Sequence, residues 1–271
     1  MMRITKSEFE KLAQYVKNNY GINLKEEKKT LVINRLYNEV VNSNCKNFTQ
    51  YFEYILSDKS GEALTALIDK LTTNYTFFMR EADHFYYFRD KVLPYLLSTV
   101  KDRDLRIWSA GCSSGQEPYT LAMIIDDYLK NDKKMWDTKI LATDISSKAL
   151  GEAMKGIYSK EEIQLLPPLW RLNYFKKLDN ENYVISDEIK KEVIYRKFNL
   201  MDKVFPFKKK FHTIFCRNVM IYFDYKTKIE LVNKFYDAME YGGYLFIGHT
   251  ESIPRHETGF QYVMPSVYRK V

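Results

Sequence analysis

Leu105-Arg-Ile-Trp-Ser-Ala-Gly-Cys-Ser-Ser-Gly-Gln-Glu-Pro-Tyr119 is the stretch that decides the fold. A short apolar run enters a turn holding Gly111 and Gly115. A helix then opens with Pro118 in its first turn and continues through Leu121, Ala122, Ile124, Ile125 and Leu129. Strand, glycine turn and helix form the opening unit of an open α/β sheet, where ligands collect at the carboxyl ends of the strands. Glycine permits both the sharp turn and a close approach of ligand to backbone. The spacing is not the dinucleotide pattern G-x-G-x-x-G, and no Gly-Lys-Ser/Thr follows to make a P-loop. The turn is therefore either an ordinary strand–helix connection or the seat of an adenosyl ligand smaller than a dinucleotide.

The same alternation extends outward from this unit. Residues 139–144 read as a second strand and 146–154 as a second helix. Further strands fall at 193–198, 212–216 and 243–248, with a helix at 226–239 and a closing strand pair within 260–270. Strands alternating with helices predict a doubly wound, parallel α/β sheet. Residues 166–191 break the alternation, beginning near Pro167-Pro168 and carrying short alternating pieces, and they read as an inserted small β-subdomain. Upstream of about Thr73 every apolar pattern has helical spacing. Residues 5–18 place Phe9, Leu12, Ala13 and Val16 on one face, closed by Gly21. Residues 25–42 do the same with Leu31, Ile33, Leu36, Tyr37 and Val40, and two more helices fit 48–56 and 62–71. The expected organisation is a small all-α N-terminal domain over 1–72, a linker helix over 73–90, and the α/β domain over 91–271.

Composition narrows the function classes. Lys and Arg number 42 against 35 Asp and Glu, a formal net charge of +7, but the basic residues are spread along the chain among carboxylates. That distribution argues against a nucleic-acid-binding arm. Cys45, Cys112 and Cys216 are odd in number and far apart, with neither a disulfide framework nor zinc spacing, which points to a reducing cytoplasm. No apolar run approaches the roughly 20 residues that span a bilayer, and the first residues lack the apolar core of a signal peptide.

Several residues could carry chemistry. Asp144 ends the second strand, where a carboxylate can accept hydrogen bonds from two ribose hydroxyls; it can equally cap the helix starting near Ser146. Arg217 and Asn218 open an otherwise apolar run after the strand that ends at Cys216. Cys216 has no activating partner placed by sequence and reads as a packing residue. His84, His212, His249 and His256 show no metal-ligand spacing, and His249 reads as a hydrogen-bonded structural histidine. The aromatic stretch 75–88 reads as core. The basic residues Lys25, Lys28, Lys29 and Arg35 form either a solvated helix face or a docking surface for an acidic helix.

Four motifs taken in order resemble the chemotaxis-receptor methyltransferases, the CheR-type protein-glutamate O-methyltransferases. They are Thr73-Asn-Tyr-Thr-Phe-Phe-Met-Arg-Glu81, Trp108-Ser-Ala-Gly-Cys-Ser-Ser-Gly-Gln-Glu-Pro-Tyr119, Ala142-Thr-Asp-Ile145 and Phe215-Cys-Arg-Asn-Val-Met-Ile-Tyr-Phe-Asp224. Phe198-Asn-Leu200, Gly248-His-Thr-Glu251 and Asn34-Arg35-Leu36 also match, so the likeness spans the chain. It implies a helical domain joined to an S-adenosylmethionine-dependent methyltransferase domain that releases S-adenosylhomocysteine. Carried over by motif, the cofactor contacts are Asn74, Thr76, Arg80, Glu117, Asp144, Asn199, Leu200, Arg217 and Asn218. Tyr222 matches a tyrosine beside the transferred methyl group, and Arg35 an arginine of the helical domain that reaches toward the active site. The implied partner is a chemoreceptor cytoplasmic domain, met by a monomer without membrane insertion.

Two departures are small: Gln116 stands where many members have Glu, and Met79 stands where Phe is frequent beside Arg80. Some members bind a receptor C-terminal pentapeptide through a glycine-bearing loop of the β-subdomain. The corresponding turn here, Lys177-Leu-Asp-Asn-Glu-Asn182, is short and lacks glycine, so no such tether is expected. An amino-directed nucleic-acid methyltransferase would need a polar-Pro-Pro-aromatic stretch where Arg217 to Tyr222 lies. A non-catalytic sensor of S-adenosylhomocysteine is the other rival, opposed by the intact Asn74, Arg80, Asp144 and Asn218.

Overall fold

The computed structural model describes residues 3–254 and 256–271. Four helices open the chain: α1 Lys6–Tyr20, α2 Lys29–Asn42, α3 Phe48–Ser57 and α4 Glu62–Leu71. Thr5 and Glu8 form a reciprocal capping box at the start of α1, and Gly21 closes that helix at φ 72°, a conformation costly for any other residue. Phe9, Leu12 and Val16 of α1 pack with Val32, Leu36 and Val40 of α2 and with Tyr51, Ile55 and Leu67. The buried row of α2 is thus 32-36-40, while Leu31 and Tyr37, expected inside, are exposed. Leu36 and Val40, also expected inside, belong to this i,i+4 row, and Val32 completes it.

Helix α5, Ala82–Tyr87, runs through a π-helical turn, Phe88–Val92, into α6, Leu93–Thr99. The linker is therefore helical only from Ala82. Before it, residues 73–77 are irregular, and Met79 and Glu81 are left-handed at φ 60° and 55°. Such backbone cannot continue a helix, and its strain is held by the contacts described below.

The strands are β1 Ile107–Ala110, β2 Ile140–Asp144, β3 Ile157–Ser159, β4 Phe175–Lys177, β5 Asn182–Ile185, β6 Val193–Lys197, β7 Phe211–Cys216, β8 Met239–Ile247, β9 Phe260–Met264 and β10 Val267–Lys270. Between them lie α7 Gln116–Leu129, α8 Ser147–Lys155, α9 Lys160–Ile163, α10 Pro168–Tyr174, α11 Asp187–Lys190 and α12 Tyr225–Asp237. Seven strands form the main sheet in the order β6-β2-β1-β7-β8-β10-β9, parallel as far as β8 and antiparallel beyond. Side chains alternate across it: Ile107 enters one core with Phe85, Phe88 and Leu121, while Trp108 and Ala110 enter the other with Ile214 and Phe235. The Trp108 indole N–H donates to Thr143 Oγ1 at 2.9 Å, which satisfies the one polar group of a fully buried ring.

Strands β3, β5 and β4 make a separate antiparallel sheet. It begins at Ile157, ahead of the expected boundary at 166, because a three-residue strand after Gly156 is too short to show alternation. In its β4–β5 turn, Asp179 Oδ1 accepts from the backbone N–H groups of Glu181 and Asn182, both at 2.8 Å. From β1 the chain adds β2 and β6 on one side and then returns to add β7 and β8, still parallel, on the other; the crevice outside the carboxyl ends at this switch is where an open sheet binds its ligand.

Candidate active site

A cleft opens at that switch. Its floor is the β1–α7 turn, with Gly111, Cys112 and Ser113, and the end of β2, with Asp144. Linker residues Asn74, Tyr75, Thr76 and Arg80 form one wall, and Arg217, Asn218 and Tyr222 after β7 form another. Glu117, Asn199 and Leu200 complete the expected set, while Tyr20 and Ile22 arrive from the helical domain. Ten of the eleven residues picked from the sequence thus meet at one place; Arg35 does not line it.

The glycines of the turn serve the protein's own packing. Gly111 lies at φ 95°, and a Cβ there would come within 2.3 Å of Val219 Cγ2. Gly115 lies at φ 94°, with its missing Cβ against the Tyr195 and Tyr158 hydroxyls and Ala153. Both glycines are needed for left-handed backbone and for close approach by neighbouring side chains.

Asp144 is 9% exposed. Its Oδ2 accepts from Ser113 N at 2.8 Å and its Oδ1 from Ser146 N at 2.9 Å. Ser146 itself caps α8. A carboxylate offers about four lone-pair sites, so about two remain for a diol in the cleft. Burial pushes its pKa above the ordinary carboxylate value, although those backbone bonds oppose the rise. The linker is tied to the same corner: Ser113 Oγ donates to the Asn74 carbonyl at 2.7 Å, and Asn74 Nδ2 to Ser146 Oγ at 3.3 Å. Arg80 donates one N–H to the Tyr75 carbonyl at 2.8 Å. Met79 is not part of the wall; it packs, partly buried, against the core that holds Phe78 and Phe85.

Arg217 is the hub of the other wall. Its side chain is 2% exposed and donates to Glu81 Oε2 at 3.0 Å, to Glu117 Oε2 at 3.1 Å and to the Arg80 carbonyl. The guanidinium carbon also lies 5.0 Å from the Phe85 ring centroid. Glu117 Oε1 accepts from Ser109 Oγ at 2.7 Å, so both its oxygens are held inside the protein. Burial raises the Glu117 pKa despite Arg217. For Glu81 burial acts the same way, but hydrogen bonds from Asn218 and Arg217 outweigh it and bring the value down. Sequence reading missed Glu81, whose signal was its place beside Arg80.

Glu81, His84 and His249 bring ligand-type atoms within 4.8 Å of one another. A cation there would sit beside Arg217, which shares the same Glu81 oxygen, so the cluster serves as support for the wall. Burial, reinforced by Arg217, lowers the His84 pKa to about 4 and keeps the ring neutral. His249 bonds Asp83 at 3.1 Å. Cys112 and Cys216 are buried, and burial pushes both thiols well up.

The comparisons with known proteins fit this geometry. Residues 74–268 match the family described as CheR methyltransferase, SAM binding domain, and residues 7–72 match its all-alpha domain. The chain belongs to the CheR methyltransferase family. It is 44% identical over 272 residues to a chemotaxis protein methyltransferase of Borreliella burgdorferi, covering 99% of this chain and 96% of that one. It is 38% identical over 237 residues to a probable chemotaxis protein methyltransferase of Rhizobium etli, covering 86% and 88%. With the chemotaxis protein methyltransferase of Escherichia coli K12 it shares 33% identity over 272 residues, covering 98% and 92%. Its cofactor is S-adenosylmethionine.

In this CheR chain the helical domain reaches the site through a joint at the end of α1. Asn199 Nδ2 donates to the Asn19 carbonyl at 2.7 Å while its Oδ1 accepts from Met201 N at 3.0 Å, so this amide is an interdomain strut. Asn23 N donates to the Tyr222 carbonyl at 2.8 Å, and Lys17 pairs with Asp224 at 2.8 Å. A Cβ on Gly21 would lie 2.6 Å from Met201 Sδ and 3.1 Å from the Phe223 ring. Arg35, expected to reach the active site, spends its guanidinium on the start of the linker. It donates to the carbonyls of Leu71 at 2.9 Å and Thr72 at 3.2 Å and to Thr73 Oγ1 at 3.1 Å. Its geometry is that of a positioning residue. Of the other basic residues singled out with it, Lys25 and Lys28 are exposed and Lys29 is half-buried, with Lys28 Nζ 5.5 Å from the Tyr222 ring centroid.

Proposed function

We propose that this methyltransferase esterifies glutamate side chains on the cytoplasmic part of a chemoreceptor. The observation that carries the reading is the composition of the cleft. It combines Asp144, Arg80 and Tyr222; among the described residues no histidine or lysine lines it, Glu117 has both oxygens tied to Ser109 and Arg217, and Asp144 is held by Ser113 N and Ser146 N on the floor. A glutamate acceptor is ionised at neutral pH, with a reference pKa of about 4.3, so it needs no general base. An amine or hydroxyl acceptor would need one.

S-adenosylmethionine supplies a methyl group on a sulfonium centre, and transfer to a carboxylate oxygen cancels one positive and one negative charge, which a dry site favours. The chain's own work is then binding and alignment. Asp144 accepts the ribose hydroxyls with its spare lone pairs. Arg80 holds the anionic end of the amino-acid moiety by charge-assisted hydrogen bonds. Asn74 and Thr76 keep the linker wall against the floor, and Asn218 and Tyr222 shape the side the acceptor enters. Such positioning can contribute several kcal/mol, up to roughly 7–11 in ideal cases.

The exposed Lys28, 5.5 Å from the Tyr222 ring centroid, together with the exposed Lys25, favours docking of an acidic receptor helix. No helix of the described residues is long and apolar enough to cross a membrane; action in the cytoplasm as a monomer is part of this proposal. The tight Asp179-centred turn of the β-subdomain offers no glycine loop, so methylation proceeds without a pentapeptide tether. Tight binding of a receptor C-terminal pentapeptide in a titration contradicts that last point.

The function is tested with methyl-labelled S-adenosylmethionine and a chemoreceptor cytoplasmic fragment. Base-labile label that disappears when the acceptor glutamates are replaced is the expected result. Base-stable label sinks the glutamyl ester reading.

A further inference from the structure

Glu251, in the Gly248-His-Thr-Glu251 motif, is a buried carboxylate with no part in the chemistry above. It is 6% exposed and does not line the cleft. Its oxygens accept backbone N–H groups from two segments: Gly248 at 2.6 Å and Asn218 at 3.0 Å on Oε2, and Ile221 at 3.0 Å on Oε1. Asn218 and Ile221 bracket the turn after β7, and Ile221 directly precedes Tyr222. Asn218 is held left-handed at φ 60°, a conformation that a non-glycine residue keeps only when its surroundings enforce it. Gly248 completes the fit, because a Cβ there would lie 2.4 Å from Asn218 Nδ2.

We infer that Glu251 is a positioning residue of methyl transfer: its carboxylate sets the 218–221 turn and thereby the place of Tyr222 at the acceptor side of the cleft. The Asn218 side chain is fixed independently, since its Nδ2 donates to Glu81 Oε1 at 3.0 Å. The two ends of the turn therefore respond differently when Glu251 is altered. The inference rests on the proposed role of Tyr222 in the transfer step.

In Glu251→Gln one amide oxygen keeps the Gly248 and Asn218 bonds, and the amide NH₂ then faces the Ile221 N–H, donor against donor. The disturbance falls next to Tyr222 and spares the cofactor side. The experiment measures kcat on a receptor fragment and the Kd for S-adenosylhomocysteine, for wild type, Glu251→Gln, Tyr222→Phe and the double variant. The expected result is at least a tenfold loss of kcat in Glu251→Gln with the Kd changed less than threefold. The double variant should be no slower than the slower single one, because both changes act through one side chain.

Where Glu251→Gln melts below the assay temperature, Glu251→Asp, one methylene too short to serve all three amides, carries the same comparison. A kcat within twofold of wild type overturns the inference. So does a loss of kcat matched by an equal loss of cofactor affinity, or multiplicative losses in the double variant. A wild-type enzyme that transfers nothing overturns the proposed function instead.

Discussion

Replacing Arg217 with alanine tests the electrostatic core of the site. The guanidinium is 2% exposed and lies between Glu81, whose side chain is 13% exposed, and Glu117, at 12%. Its removal leaves two poorly hydrated carboxylates facing a space without a cation, and also strips a donor from the Arg80 carbonyl. Breaking a buried pair in this way costs about 3–5 kcal/mol. At roughly 2–4 °C per kcal/mol for a domain of this size, Tm should fall by roughly 6–20 °C.

The pH dependence has a definite sign. Without Arg217 the folded-state pKa values of both glutamates rise above their unfolded values, so the penalty is full near pH 8 and shrinks as protonation neutralises them toward pH 5. Adding Glu117→Gln removes one of the two like negative charges and should recover part of the loss, giving a coupling of about 0.5–3 kcal/mol in the double-mutant cycle. Calorimetric melts at pH 5 and pH 8 decide the matter. A Tm drop under about 2 °C, or a deficit of equal size at both pH values, refutes the reasoning.

Arg80→Ala should chiefly raise KM for S-adenosylmethionine, and Tyr222→Phe chiefly lower kcat; steady-state kinetics showing equal effects on both parameters in both variants would contradict that division. Asp144 carries a raised pKa because of burial, and only its ionised form offers every lone pair to a diol. Affinity for S-adenosylhomocysteine should therefore weaken between pH 7 and pH 5, whereas Asp144→Asn should bind about tenfold more weakly and with a flatter pH profile in calorimetric titration. Arg35→Ala should destabilise the chain by roughly 1.5–3 kcal/mol in denaturant melts and raise the cofactor KM, with Arg35→Lys restoring only part because an ammonium cannot fork across three acceptors. Raising ionic strength past about 0.1 M should lower kcat/KM for the receptor fragment without moving the S-adenosylhomocysteine Kd; an unchanged kcat/KM returns Lys25 and Lys28 to a merely solvated face.

What was legible in the sequence followed from local rules. The strand–turn–helix at 105–119 showed itself because apolar run, glycine and helix-opening proline fall in order, and Asp144 was placed by ending a strand. The less legible features depend on neighbours distant in sequence. The glycines of the turn left an ordinary connection and a ligand seat both open; Gly111 lines the cleft, and Val219, Tyr195 and Ala153 also fill the space where a side chain would go. Arg35 was expected to reach the active site from its motif match alone, and nothing in one dimension records that its guanidinium chelates the carbonyls of Leu71 and Thr72. Glu81 and Glu251 were passed over for a related reason: their partners are backbone amides, an asparagine and an arginine far along the chain, and no spacing rule records them. In α2, Leu36 and Val40 were read correctly as buried, whereas Leu31 and Tyr37 are exposed and Val32 takes the inward position instead.

The joint around Gly21 bears on how such enzymes can be recombined. The family boundary falls between residues 72 and 74, and a recombination there would treat the helical domain as a detachable receptor reader. Yet Tyr20 and Ile22 are cleft walls, Asn19 and Asn23 grip Asn199 and Tyr222, and Gly21 leaves no room for a methyl group. A chimaera that exchanges helical domains at residue 73 also exchanges part of the reaction chamber. Transplanting receptor preference intact requires the recipient's own residues 19–23 to stay, with the graft beginning at α2.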